Sequence, residues 1–377
     1  MTGPSREPTL PTLRTPICDL FGVRYPIVQT GMGFVSGPGL VAATANAGGL
    51  GILASATMSY SELAAAIERT RSLTSAPFGV NLRADAPDAA RRVELLISEQ
   101  VKVASFALAP RPEMIARLKE SGLVVVPSVG ARRHAEKVAA WGADAVVVQG
   151  GEGGGHTGQV ATTVLLPQVA DAVAIPVIAA GGFFDGRGLV AALAYGAAGI
   201  AMGTRFLLTS DSPVPDDIKR LYLAATVADT VVTDALDGVP QRLLRTAFTG
   251  RLAGGGRAAR LVRSARSAAA FRRLTGSTWR EMAAEGRQMR RLHGLPLGQV
   301  LLAANTPALL RAAMVDGNPE FGVMATGQVA GVIDDLPSCA ELIERIVTEA
   351  TAVLGRLAGP GPAEPGHVRD DIPGSSA

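Results

Sequence analysis

Apolar residues in this chain gather in short unbroken runs bounded by glycines and polar residues. The runs fall at 26–32, 49–55, 78–83, 103–109, 124–129, 145–150, 176–182 and 199–205. Unbroken runs of this length suit strands buried on both faces, as in a parallel sheet. Between them lie stretches with helical patterning, at 60–73, 87–100, 111–121, 131–141 and 188–195. Pro87 suits the first turn of its helix, where a missing N–H costs nothing. Strand and helix alternating eight times predict a (β/α)8 barrel over 15–215, with an open doubly wound sheet as the alternative, because periodicity does not show closure. Residues 216–225 look helical, and from 241 to 317 the pattern is helical and arginine-rich. The stretch 216–319 is therefore expected to be a helical insertion or lid beside the barrel mouth. Residues 320–356 return to the barrel, with an amphipathic closing helix over 337–354. The polar, proline-rich residues 1–14 and the Gly-, Pro- and charge-rich residues 357–377 are expected to be disordered.

Composition narrows the class. The 377 residues are 47% hydrophobic but only 4% aromatic. A core must then be built from Val, Ile, Leu and Ala, the residues that fill parallel barrels. Cys18 and Cys339 stand far apart without metal-ligand spacing, which argues against a disulfide framework and for a reducing interior. No signal peptide or run long enough to span a bilayer is visible, so a soluble cytoplasmic protein without a membrane partner is expected. Net charge is +3, yet 242–291 holds thirteen arginines against Glu281 and Glu285. That segment carries +11 and leaves the remainder near −8. Concentrated guanidinium points to an anionic partner. Arg257, Arg260, Arg263 and Arg266 recur every third residue, which places them along one helical face.

Candidate chemistry lies where the expected strands end, the functional face of such barrels. The sixth run leads through Gln149 into Gly150-Gly151-Glu152-Gly153-Gly154-Gly155-His156. Glycines let backbone approach a ligand closely, and an imidazole ordinarily titrates near neutrality. His156 is the one good acid–base candidate: His134, His293 and His367 are scattered and lack carboxylates at ligand spacing, so no metal site is expected. There is no nucleophile elbow and no dinucleotide fingerprint. The first strand ends at Gly31-Met32, the third carries Asn81 and the fifth ends at Ser128. The seventh and eighth end at Gly181-Gly182 and Gly203-Thr204. Glycine turns on two consecutive strands can present backbone N–H groups to a phosphate. Asp185 and Arg187, just beyond, could instead pair within their loop.

These segments together resemble a flavin-dependent barrel family, the one that holds nitronate monooxygenases and flavin enoyl-acyl carrier protein reductases. The matching pieces are Gln29, Gly31-Met32, Gly48-Gly49-Leu50-Gly51, Gly79-Val80-Asn81, Gln149-Gly150 through Gly155-His156, Ala180-Gly181-Gly182, Met202-Gly203-Thr204-Arg205-Phe206 and Gly327-Gln328. The resemblance spans roughly residues 15–354. It implies FMN across the barrel mouth, its phosphate on Gly181, Gly182, Gly203 and Thr204. The ring would lie near Gly31, Met32, Asn81, Gln149 and Gln328, with Ser128, Gly154 and Gly155 also in contact. His156 takes the position of the family's proton-abstracting histidine.

Within the family the chain is similar to an actinobacterial branch that degrades sterol rings as CoA thioesters and dehydrogenates a hydroxylated indane-carboxyl-CoA. The shared pieces include Gln29-Thr30-Gly31-Met32-Gly33, residues 103–110, the loop 150–158 and Phe183-Phe184-Asp185-Gly186-Arg187-Gly188. CoA carries several phosphate charges, which the arginines at 257, 260, 263 and 266 could clamp; a nitronate needs no such flank. The expected reaction is α,β-dehydrogenation of a cyclic CoA thioester or its reverse. NAD(P) would bind only transiently, as no second nucleotide fold is evident. Nitronate oxidation by O2 is the alternative. A non-catalytic phosphate-ligand module and a nucleic-acid-binding module are the remaining rivals, the last being the weakest because few aromatics interleave the arginines. A homo-oligomer is compatible with an exposed helical insertion.

Overall fold

The computed structural model describes residues 13–253 and 306–359. All eight apolar runs form strands: β1 (Ile27–Gln29), β2 (Leu50–Ala54), β3 (Gly79–Leu82), β4 (Val103–Phe106), β5 (Val124–Val129), β6 (Val146–Gln149), β8 (Val177–Ala180) and β9 (Gly199–Met202). They pair in parallel in that order, and β9 returns to β1 through Gln29↔Met202, so the sheet closes into a barrel. The expected closed barrel is therefore the observed one, and the open-sheet alternative is excluded. Closure explains why the runs are apolar throughout: Val28 faces the interior with Ile52, Val103, Val147 and Ile178, while its neighbour Ile27 packs outward beneath the helices. Helix α1 (Pro16–Phe21) seals one end by adding Ile17 and Phe21 to the interior cluster.

Helices α2 (Pro38–Asn46), α3 (Tyr60–Leu73), α4 (Ala89–Ser98), α5 (Pro112–Glu120), α6 (Arg132–Ala140), α7 (Thr162–Ala170) and α8 (Gly186–Ala194) follow their strands. Ser59 and Glu62 form a reciprocal cap at the start of α3, which satisfies two otherwise orphaned N–H groups. Pro87 lies before α4 rather than in its first turn, because Asp88 occupies the N-cap position. The closing helix α13 (Cys339–Ala358) packs on α8, and Glu349 accepts from the Gly186 N–H at 2.9 Å. This helix continues through residues 357–358, which the sequence assigned to the disordered tail. Buried Arg205 donates to Asp335 Oδ1 at 2.9 Å, and Arg345 holds Oδ2 at 2.6 Å, tying the exit of β9 to the approach to α13. Desolvation drives the Arg205 guanidinium below its ordinary range.

The stretch after the short α9 (Thr204–Leu207) corrects one expectation. Helices α10 (Asp216–Leu223), α11 (Ala247–Ala253) and α12 (Thr306–Met314) are present, but 216–319 is not helical throughout. Strands β10 (Thr230–Thr233) and β11 (Gln241–Leu244) form an antiparallel hairpin. Its second strand pairs with β7 (Gly155–His156), a two-residue strand in the glycine loop. Gln241, Leu243 and Leu244 are buried, and pairing satisfies backbone groups that burial would otherwise leave unbonded. The expected features at 1–12, 254–305 and 360–377 lie outside the described residues. Among the described residues no helix is long and apolar enough to cross a membrane.

Candidate active site

The β6–β7 loop leaves the barrel at the C-terminal end of β6. Gln149, the last residue of β6, donates from Nε2 to the His156 carbonyl at 2.7 Å. Its amide nitrogen therefore holds the loop in place. On the far side of the loop, Arg242 donates to Gly151 O at 2.9 Å and to Thr230 Oγ1 at 2.8 Å. Burial pushes its guanidinium below the ordinary range. The Glu152 carboxylate accepts from Thr162 N–H at 2.9 Å and Thr162 Oγ1 at 2.7 Å, and its carbonyl accepts from Gln328 N–H at 3.0 Å. Gly154 packs so tightly under Thr326 and Gly327 that a Cβ there would stand 2.5 Å from the Thr326 carbonyl carbon.

His156 projects from β7 with its side chain 60% exposed. Its Nε2 lies 2.7 Å from Asp237 Oδ2. Asp237 sits in the β10–β11 turn with only 13% of its side chain exposed. Burial alone would raise this carboxyl, but bonding with His156, that partner's charge and donors from Val239 N–H and Gln241 hold it below the usual carboxylate range. Gln241 Nε2 reaches the same oxygen at 2.6 Å. Arg83, just beyond β3, is bidentate to Asp85 at 3.0 and 2.7 Å. That pairing raises its pKa, and Asp237 adds to the field.

The other sequence-derived positions ring the same mouth. Gly31 abuts Asn81, whose amide donates to Ser105 Oγ at 3.2 Å. Gly203 faces Thr30 and Met32, and Thr204 Oγ1 accepts from Gly327 N–H at 2.9 Å, next to Gln328. Ser128 is half-buried on β5 opposite Val147. Gly181 and Gly182 follow β8 with φ of +92° and +90°, a conformation that side-chain-bearing residues rarely adopt. Gly155 also has a positive φ, +65°, and nothing lies within 4 Å of the place its Cβ would take. Asp185 caps Gly188 N–H at 2.9 Å and pairs with Arg187 at 2.6 Å, so that pair is structural. Arg257, Arg260, Arg263 and Arg266 lie outside the described residues.

The donor set suits a flat ligand with a phosphate at one end. Two bare glycine turns end the adjacent strands β8 and β9, with the buried Thr204 hydroxyl beside them. Of the nearby carboxylates, Asp185 is matched by Arg187 and caps Gly188, and Glu152 is turned to the Thr162 hydroxyl and N–H. Asp237 and Gln241 escaped the sequence reading. The available signal was Asp237-Gly238 between two β-prone segments, a common hairpin turn.

The family model described as "Nitronate monooxygenase" matches residues 14–92 and 89–349. A Mycobacterium tuberculosis protein named "(3aS,4S,5R,7aS)-5-hydroxy-7a-methyl-1-oxo-octahydro-1H-indene-4-carboxyl-CoA dehydrogenase" is 65% identical over 91% of this chain and 97% of its own length. A protein of the same name from Rhodococcus jostii is 60% identical over 92% and 98%. Among solved structures, FabK from Thermotoga maritima is similar with a TM-score of 0.75 and 36% identity, over 92% of this chain and 99% of that one. The chain belongs to the nitronate monooxygenase family of oxidoreductases.

Proposed function

We propose that this protein is an FMN-dependent dehydrogenase of a cyclic CoA thioester, acting on an indane-type acyl group in sterol-ring catabolism. The observation that carries this reading is the near-full-length, 65% identical relative named for that reaction. FMN, when bound, supplies the hydride acceptor, or the donor in the reverse direction. Gly181, Gly182, Gly203 and Thr204 would hold its phosphate. Gly31, Met32, Asn81, Ser128, Gln149, Gly154, Gly155 and Gln328 would surround its ring.

The chain's own contribution to the chemistry is a base. The thioester carbonyl acidifies the α carbon, and His156 takes that proton as the β hydride leaves. The C–H pair is lost as one proton and one hydride, and a C=C bond forms between the α and β carbons. Gln149, through the His156 carbonyl, keeps the base at a fixed height over the mouth. Orientation of this kind supplies part of the rate by avoiding reorganisation during reaction. Molecular oxygen or a transiently bound NAD(P) is proposed as the final electron acceptor. The role of Arg257, Arg260, Arg263 and Arg266 in gripping CoA phosphates rests on their sequence spacing.

The second reading, oxidation of alkyl nitronates by O2, is favoured by the family's own description and by a 32% identical Staphylococcus aureus relative named "Probable nitronate monooxygenase". Anaerobic titration of the oxidised protein with a panel of acyl-CoAs and alkyl nitronates separates the two. Bleaching of flavin absorbance by the cyclic acyl-CoA supports the proposal. Bleaching by nitronates alone overturns it in favour of the second reading.

A further inference from the structure

We infer that Asp237 is a positioning residue for His156: it fixes the imidazole with Nε2 protonated and leaves Nδ1 as the nitrogen that receives the substrate's proton. This deepens the proposed function and rests on His156 being its base. Three donors converge on the Asp237 carboxylate: Val239 N–H on Oδ1 at 3.1 Å, and His156 Nε2 and Gln241 Nε2 on Oδ2 at 2.7 and 2.6 Å. Donors of this kind favour the ionised form, and an ionised carboxylate only accepts.

The ring's tautomer follows from that arrangement. His156 Nε2 also lies 3.2 Å from Gln241 Nε2. If Nε2 were bare and accepted from Gln241, its lone pair would face a carboxylate oxygen 2.7 Å away, and one of the two would need a proton that the other donors oppose. With Nε2 protonated, His156 and Gln241 both donate to Oδ2 and their mutual contact is not a bond. Nδ1 then carries the free lone pair, on a side chain that is 60% exposed at the mouth.

The hairpin supplies both halves of this device. Gln241 is the cross-strand partner of His156 in the β11–β7 pairing, and Asp237 is in the turn just before it. Gln149 fixes the same residue's backbone from the barrel side. When the ring takes up the proton it becomes a cation beside an anion, which stabilises the protonated product of the step. The other charged groups near this pair are Arg83, which is already matched by Asp85, and Arg242, which donates to Gly151 O on the loop's far side. Neither replaces Asp237.

The test combines the flavin-loaded wild type with Asp237→Asn, Asp237→Glu and His156→Ala. Asp237→Asn should keep bound flavin and a KM for the cyclic acyl-CoA near the wild-type value, while kcat falls about tenfold or more. Asp237→Glu should restore part of kcat. In wild-type protein labelled with 15N-histidine, the signal missing from His156→Ala should report Nε2–H; this needs no folded Asp237 variant. An Nδ1–H signal, or an Asp237→Asn enzyme with wild-type kcat beside an inactive His156→Ala, overturns the role of Asp237 alone. Full turnover by His156→Ala overturns the base assignment itself.

Discussion

Replacing Gly154 by alanine puts a methyl group where backbone already stands. The new Cβ would lie 2.5 Å from the Thr326 carbonyl carbon, 2.7 Å from Gly327 N and 2.8 Å from Thr326 O. Comfortable contacts between carbon atoms are about 3.5–4.0 Å, so one segment must retreat by roughly 1 Å. Neither can do so freely. Thr326 N–H donates to Arg242 O at 3.3 Å and Gly327 N–H to Thr204 Oγ1 at 2.9 Å. Overpacking of this kind costs about 1–3 kcal/mol, and weakening the Gly327–Thr204 bond adds about 1 kcal/mol. Gly154→Ala should therefore lose about 2–4 kcal/mol of stability. Because Gly154 stands two residues before His156, a shift near 1 Å should also lower kcat by about 100-fold. The assay is urea unfolding with parallel turnover measurements. Gly250→Ala, in α11 with nothing within 4 Å of its Cβ position, serves as a control and should gain about 0.5–1 kcal/mol. A Gly154→Ala protein with wild-type unfolding midpoint and turnover refutes the reasoning.

Other consequences are equally open to measurement. Gln149→Leu removes the bond that holds the His156 carbonyl, so kcat should fall while the melting temperature of the barrel changes little; an unchanged kcat would show that the loop does not need that bond. Burial raises the Asp335 carboxyl, but its bonds to Arg345 and Arg205 and their charges hold it low overall. Its stabilising contribution is full above the ordinary carboxylate range and fades as pH falls through the depressed value. The melting-temperature gap between wild type and Asp335→Asn should accordingly narrow below about pH 4. Burial pushes the Cys339 thiol up to about 12, and Cys18 is fully buried. An aromatic disulfide reagent should find neither thiol in the native protein and both after unfolding.

The barrel was legible because doubly buried strands leave a signature that needs no partner to be read: Leu50-Gly51-Ile52-Leu53-Ala54 is buried at every position. The strands end sooner than the apolar runs, since Thr30, Gly31 and Met32 leave the ladder to line the mouth. The sequence also exposed the glycine turns after β8 and β9: Gly181 and Gly182 take the positive φ that glycine permits, and Gly203 after β9 offers a bare backbone at φ −101°. The hairpin was not legible in the same way. Arg242 makes β11 resemble the arginine-rich helical sequence that follows. Its partner is a strand of only two residues, Gly155 and His156, far back in the chain. Asp237 acquires its role only when that long-range pairing forms. Local periodicity carries no record of such a pairing, whereas Asp237-Gly238 did mark the turn.

The claim at the centre of this account is that one imidazole at the barrel mouth takes the substrate's proton as hydride leaves. The most direct measurement is the rate of flavin bleaching after anaerobic mixing of wild type and His156→Ala with the cyclic acyl-CoA. The account predicts equal flavin content in both proteins and bleaching slowed by about 100-fold or more in the variant. Bleaching at the wild-type rate in His156→Ala would contradict it.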